Sequence, residues 1–450
     1  MRRGWRGRGV RVAVVGGGWA GCAAAVALAQ RRGVEVTVFE AARTLGGRAR
    51  RIEAGGKVLD NGQHILLGAY AQTLKLMRQV GVDVDQAMLT VPLQMRYPPG
   101  GMDFVAPRLP APLHLAVALL RAKGLARADK LAMARFSTTA RWMGWRLDVD
   151  CTVAELLERF DQTPRLVQLM WRPLCLAALN TPLETASAQV FLAVLRDSLG
   201  ARRHASDMLL PRHDLSALFP DRAAQWLAKR GATVHAGVKV DAIAPQENGW
   251  RITATGGAIG GAQTQDFDRV VLATSTAAAA ALLAPLPETA ALSAQLAAFE
   301  TAPITTCYLQ YGPAERLPQP FFALEDDAAA GRWGQFVFDR GHLDAAQAGL
   351  LAVVISAADD AAAVPQADLA AAIAAQLAAT FGRPALAQPA WSKVITDKRA
   401  TFACKAGLVR PANGTTLAGL VLAGDYTAGD YPATLEMAVR SGTAAAALLR

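Results

Sequence analysis

The run VAVVGGGWAGCAAA from Val12 to Ala25 constrains this chain more than any other stretch. Gly16, Gly18 and Gly21 are spaced G-x-G-x-x-G between segments of different character. Residues 10–15 before them are β-branched and read as a strand. Residues 21–31 are alanine-rich and read as a helix, and 34–39 read as a second strand. In a βαβ unit of this kind, the first glycine makes the turn tight. The second lets backbone approach a pyrophosphate, and the third lets helix and strand pack closely. The helix N-terminus then presents free N–H groups and its positive dipole end to the phosphates. Trp19 and Ala20 occupy the variable positions of the turn and belong to the predicted contact set. Glu40 closes the second strand, nineteen residues beyond Gly21. A carboxylate there bonds ribose hydroxyls and repels a 2′-phosphate, which fits an adenosine diphosphate moiety rather than NADP.

The glycine turn alone does not choose between NAD and FAD. Leu45-Gly46-Gly47-Arg48 follows shortly after Glu40. A second glycine pair there brings another backbone segment towards a dinucleotide, and Arg48 offers charge to its phosphates. The chain closes on LAGDYTAGDYPATLEMAVRSG, from Leu422 to Gly442, which reads as strand, glycine turn and helix. Together these motifs resemble the flavoprotein superfamily of amine oxidases and phytoene desaturases. That resemblance implies FAD as the cofactor. It implies that Gly424 and Asp425 contact the diphosphate and ribityl, that Thr434, Leu435 and Glu436 open a helix aimed at the flavin ring, and that Val240 meets the adenine. The fold it implies is α/β: a Rossmann-like FAD-binding domain with an inserted mixed α+β substrate domain. The run DNGQHILLGAY from Asp60 to Tyr70, with the WMGW stretch at Trp142–Trp145 and the carboxy-terminal motif, is similar to the squalene-associated branch, the hydroxysqualene dehydroxylases. Carotene desaturases share much of the pattern.

At 450 residues, 52% of them hydrophobic, the chain is long enough for two intertwined domains. The expected division gives 1–95, 205–288 and 401–450 to FAD binding. Residues 96–204 form a helical, membrane-facing region of the substrate domain, and 289–400 its sheet. The net charge of +10 suits nucleic acid or an anionic membrane surface. Its placement favours the second, and no nucleic-acid motif is present. Arg108, Arg121, Lys123, Arg127, Lys130, Arg135, Arg141 and Arg146 face one acid, Asp129, within a segment rich in leucine and tryptophan. That is the composition of a helix lying in a bilayer interface, and equally of a helical domain with a core face and a solvated basic face. The uncharged run from Val270 to Pro287 starts as a strand and is too weakly apolar to span a bilayer. Arg2 and Arg3 precede a strand rather than a leader's apolar core. Five scattered cysteines without C-x-x-C spacing suit a reducing compartment. The expectation is a cytoplasmic protein held peripherally at the inner face of the cell membrane.

The resemblance implies replacement of an allylic hydroxyl by hydrogen on a C30 isoprenoid, in the company of other squalene-pathway enzymes. Hydroxide leaves poorly, so an acid must protonate the departing oxygen. Flavin supplies the reducing equivalents and the protein supplies position, dryness and a proton. His64, after the Asn-Gly turn, and Asp430 with Tyr431, before the last helix, are the candidate acids, with His64 and Asp430 preferred. The alternative for His64 is a hydrogen bond that orients its loop, and for Asp430 a helix cap. The six histidines show no H-x-x-x-H pair, and no metal is expected. Three other readings use the same fold: a polyene desaturase, an amine oxidase, and a prenyl-binding chaperone without redox chemistry. Six tyrosines make an aromatic amine cage hard to assemble, and the intact glycine motifs weigh against the chaperone.

Overall fold

The computed structural model describes residues 9–257 and 260–449, so the arginine-rich start lies outside the described residues except for Arg11. The nucleotide-binding sheet is built from β1 (Val10–Val15), β2 (Val34–Glu40), β3 (Thr233–Ala236), β4 (Arg269–Leu272) and β5 (Leu420–Leu422). All pairings are parallel, in the order β3-β2-β1-β4-β5. Val12 of β1 lies opposite Val36 on one side and Arg269 on the other. Residues 12–15 are buried, as a strand covered on both faces requires. Between β1 and β4 the strand order reverses, and the crevice at that switch point is where such sheets bind ligands.

Helix α1 (Trp19–Leu28) covers β1 and is buried at every position except Ala27. It starts two residues earlier than the sequence predicts and ends three earlier, because Gly18 itself takes the N-cap position and the glycine motif forms the first turn. Its small side chains follow from what packs on its outer side.

The long excursions from this sheet form a second lobe. One carries α2 (Leu113–Arg121) and α3 (Arg127–Trp142). Helix α3 buries Ala132, Met133, Phe136 and Ala140, with Phe136 against Trp171 at 4.9 Å between ring centroids. Trp171 satisfies its indole N–H on Gln162, at 2.9 Å. The other excursion forms an antiparallel sheet of Thr301–Gln310, Phe321–Ala323, Phe336–Asp339, Leu350–Ser356 and Trp391–Phe402. The chain then returns through β5 to the closing helix α4 (Leu435–Leu448). A Cβ on Gly442 would lie 2.1 Å from the carbonyl oxygen of Ala20, so α4 and α1 meet backbone to backbone and need small residues on both sides.

The run from 270 to 287 divides into β4 and a short helix at Thr276–Leu283, and no described helix is long and apolar enough to cross a membrane. All five cysteines are free and buried.

Candidate cofactor and substrate site

The glycine turn leaves β1 at Val15. Gly16 donates its N–H to Phe39 O at 2.7 Å and has φ +107°, a conformation that favours glycine. A Cβ on Gly21 would fall 1.9 Å from Gly16 O, so the third glycine is what lets the helix start against the turn. Gly18 differs: its Cβ would meet nothing nearer than Gly47 Cα, at 3.8 Å. Gly18 also faces the cavity, which makes it the open side of the cradle. Its backbone is free to be approached by a ligand, as a bound pyrophosphate requires.

Glu40 ends β2 on the cavity wall. Its Oε2 accepts from Gly17 N and its Oε1 from Ala42 N, both at 2.7 Å, so the carboxylate is held by backbone at the mouth of the turn. Gly46 donates to Gly17 O at 2.9 Å, docking the second glycine pair directly on the first. Trp19 anchors the arrangement through its indole N–H to Ala49 O and its ring against Phe219.

From the other end of the chain, Asp425 leaves β5 and enters the same wall. Arg48 Nη2 donates to both its carboxylate oxygens at 2.6 Å, and Nη1 donates to Ala400 O. Arg48 is therefore held by a carboxylate before any phosphate arrives. Gly424, Ala20 and Val240 also face the cavity. Thr434 caps α4, accepting from Met437 N, and Leu435 begins the helix beside it. Glu436 turns away: it is fully buried and held by Thr73, Gln72 N and Arg440. The cradle thus has an open glycine for the phosphates, a carboxylate for ribose, a half-exposed guanidinium and a helix terminus. These residues fit an FAD laid across the switch point.

The cavity is about 1250 Å³. Pockets for one drug-sized ligand run to about 300–1,000 Å³, so there is room for a second molecule beside the cofactor. Beyond the cradle the wall passes Asn61 and His64, then becomes apolar at Leu115, Leu119, Met133, Met170 and Leu174.

His64 lies on this wall, with Nδ1 2.7 Å from Gly62 O. A carbonyl only accepts, so Nδ1 carries the proton. Burial pushes the pKa of His64 below its ordinary value, against the opposing pull of Gly62. The ring is neutral at pH 7, and its Nε2 is then an acceptor without a proton to give. This is the loop-orienting bond raised as the alternative for His64.

The structure does not bring Asp430 to the cavity wall. Its side chain is 66% exposed, it pairs with Arg196 at 3.3 Å, and it stands outside the cavity wall. Nor does it cap α4, since Thr434 does. The neighbouring Tyr431 is the residue that turns inward, and its hydroxyl donates to Asp197 at 2.5 Å. Both line the cavity. Arg196 and Arg440 flank this pair. Sequence reasoning missed Asp197, which lies 234 positions from its partner and in a segment whose only visible signal was helical pattern.

Comparison with known proteins identifies the family and the fold. A family model described as flavin-containing amine oxidoreductase matches residues 19–450. The hydroxysqualene dehydroxylase of Rhodopseudomonas palustris is 30% identical over 451 residues, covering 97% of this chain and 98% of its own. The hydroxysqualene dehydroxylase of Sinorhizobium fredii is 27% identical, covering 97% of each. Among solved structures, cyclohexylamine oxidase from Brevibacterium oxydans superimposes with a TM-score of 0.68 at 20% identity, over 98% of both chains, a likeness of fold. The chain therefore belongs to the flavin-containing amine oxidoreductases, in the branch that holds the bacterial hydroxysqualene dehydroxylases, and is an FAD-dependent oxidoreductase.

Proposed function

We propose that this protein converts hydroxysqualene to squalene by reductive dehydroxylation. The observation that carries the reading is the shape of the cavity: one space joins the flavin cradle to a long wall of Leu and Met side chains, as an isoprenoid chain lying against the cofactor requires. The near-full-length similarity to two hydroxysqualene dehydroxylases supports the same substrate class.

Replacing a carbon–oxygen bond by carbon–hydrogen consumes two electrons and two protons and releases water. FAD, when bound and reduced, supplies the electrons. The chain supplies the rest. The apolar wall strips water from the reacting end of the substrate, which strengthens every electrostatic contact there. Asn61, His64, Asp197 and Tyr431 are among the polar groups that line the cavity. Burial pushes the Asp197 carboxyl up, but the bonds from Arg196 and the Tyr431 hydroxyl and the charges of Arg196 and Arg440 together outweigh it, so the group sits below its usual range and stays ionised. It is suited to stabilising positive charge that develops as the carbon–oxygen bond breaks. Tyr431, raised by burial and by that carboxylate, keeps its proton at every physiological pH and is the proton carrier nearest to it.

The test is product analysis by chromatography after incubation with FAD, a chemical reductant and one substrate at a time. Squalene from hydroxysqualene, with phytoene and simple amines untouched, supports the reading. Oxidation of phytoene with no squalene formed would replace it by a desaturase.

A further inference from the structure

We propose that α2 and α3 dock on an anionic lipid surface, and that the cleft between them is the portal through which an apolar substrate passes from bilayer to cavity. The docking half stands on surface chemistry alone. The portal half rests on the cavity taking an apolar substrate, as proposed above.

Large exposed apolar side chains concentrate here. Leu113 and Leu120 of α2 are 56% and 74% exposed, and Leu131 and Trp142 of α3 are 64% and 86% exposed. They are placed on outward faces by helical spacing. Leu113, Ala116 and Leu120 follow i, i+3, i+7, and Leu131, Arg135, Thr138 and Trp142 follow i, i+4, i+7, i+11. The opposite face of α3 is core. Isolated exposed leucines need no explanation, but two adjacent helices that both turn them outward form a patch.

Charge selects what covers the patch. Arg121, Lys123, Arg127, Arg135 and Arg141 are exposed, and among the described residues none forms an ion pair. The acid of this segment, Asp129, is 4% exposed and turned inward, accepting from Thr163 Oγ1 and Ala126 N. Cations without acids, interleaved with Leu and an outward Trp, match the headgroup and acyl boundary of an anionic leaflet.

The cavity opens onto this same surface. Leu120, Ala116, Thr138 and Arg141 are exposed and also line it, and they come from both helices. The two helices are tied side by side by Lys130, whose ammonium donates to Leu120 O at 2.8 Å. A substrate that dissolves in lipid would therefore enter without crossing water.

The experiment uses FAD-loaded full-length protein. Flotation is measured with vesicles of phosphatidylcholine alone and with about a third phosphatidylglycerol. The transfer of radiolabelled squalene from those vesicles to protein is measured in parallel, a readout that needs no turnover. Wild type is expected to bind the anionic vesicles at least ~10-fold more tightly than the neutral ones. The triple variant R121E/K123E/R127E, whose residues lie outside the cavity wall, should lose roughly that factor while keeping its flavin spectrum and its squalene binding in detergent. Leu120→Ser with Trp142→Ser should weaken flotation without changing charge. Ala116→Trp with Thr138→Trp should float normally and take up squalene several-fold more slowly. Equal flotation of wild type and charge-reversed protein, or no binding to anionic vesicles, would overturn the docking surface, including in favour of a protein or nucleic-acid partner for the same patch. Unchanged uptake in the tryptophan variant would overturn the portal. Normal uptake without conversion of hydroxysqualene would leave both standing and remove the reaction instead.

Discussion

The three motif glycines do different things, and substitution separates them. Gly21 is a packing glycine: alanine there collides with Gly16 O and strains the start of α1. Gly18 has room for a methyl group in the protein itself and faces the cavity. Gly18→Ala is therefore expected to leave the apoprotein's Tm within about 2 °C, while FAD titration shows at least ~10-fold weaker binding. Gly21→Ala should lower Tm and FAD content together. If the two variants behave alike, the cradle's open side lies elsewhere. Asp430→Asn should keep conversion within about twofold of wild type, because Asp430 meets solvent and Arg196. A loss comparable to that of Tyr431→Phe would return it to the chemistry.

Asp60 makes a pH prediction at the same scale. It is buried under the loop that carries Asn61 and His64, and burial raises its pKa to about 7, against the bond from Leu215 N and the pull of Arg340, with Asp214 adding to the rise. An unfolded carboxyl releases its proton near pH 4 and the folded one near 7. Between those values the folded state holds the extra proton, so Asp60's contribution is complete below about pH 4 and is lost as pH rises through about 7. Asp60→Asn keeps an acceptor for Leu215 and removes the titration. The fall in Tm between pH 5 and pH 8 should shrink by ~2 °C or more. An unchanged fall would mean that the carboxyl is not the group responsible.

Among the elements, α1 and α4 depend on each other. Gly442 allows their closest contact, and Arg31 crosses from the end of α1 to the carbonyls of Ala446 and Leu449. Gly442→Leu should cost roughly 3 kcal/mol or more through overpacking against backbone. Denaturant unfolding would show it, and a cost below about 1 kcal/mol would contradict the packing described. This scale also shows what the sequence made legible. Strand, turn, helix and strand at 10–40 could be read because each piece is local and its patterns agree with its neighbours. The boundaries of α1 slipped because the glycine turn doubles as its N-terminus. The basic segment could be read by composition, but not which leucines face outward, since that depends on what packs beneath α3. A cap on α4 is only the alternative for Asp430, suggested because an acid before a helix is the usual signal. Here Pro432 and Ala433 intervene and Thr434 does the capping. Asp197 could not be read at all, because its partnership with Tyr431 exists only across lobes.

At the scale of the whole molecule, the chain visits the parallel sheet at its beginning, middle and end, and each visit adds one wall of the cradle. The two excursions build the apolar wall beyond it. An FAD bound in the cradle would lie in the same space that reaches exposed residues of two basic, leucine-bearing helices. The central claim is that this space brings an isoprenoid alcohol to reduced flavin. The most direct measurement is an anaerobic single turnover: the flavin is reduced photochemically, hydroxysqualene is added in detergent, and flavin absorbance and products are followed together. Return of the oxidised flavin spectrum, with one squalene formed per flavin, is the expected result. A flavin that stays reduced in the presence of hydroxysqualene, yet is itself reduced from the oxidised state by phytoene, would contradict it.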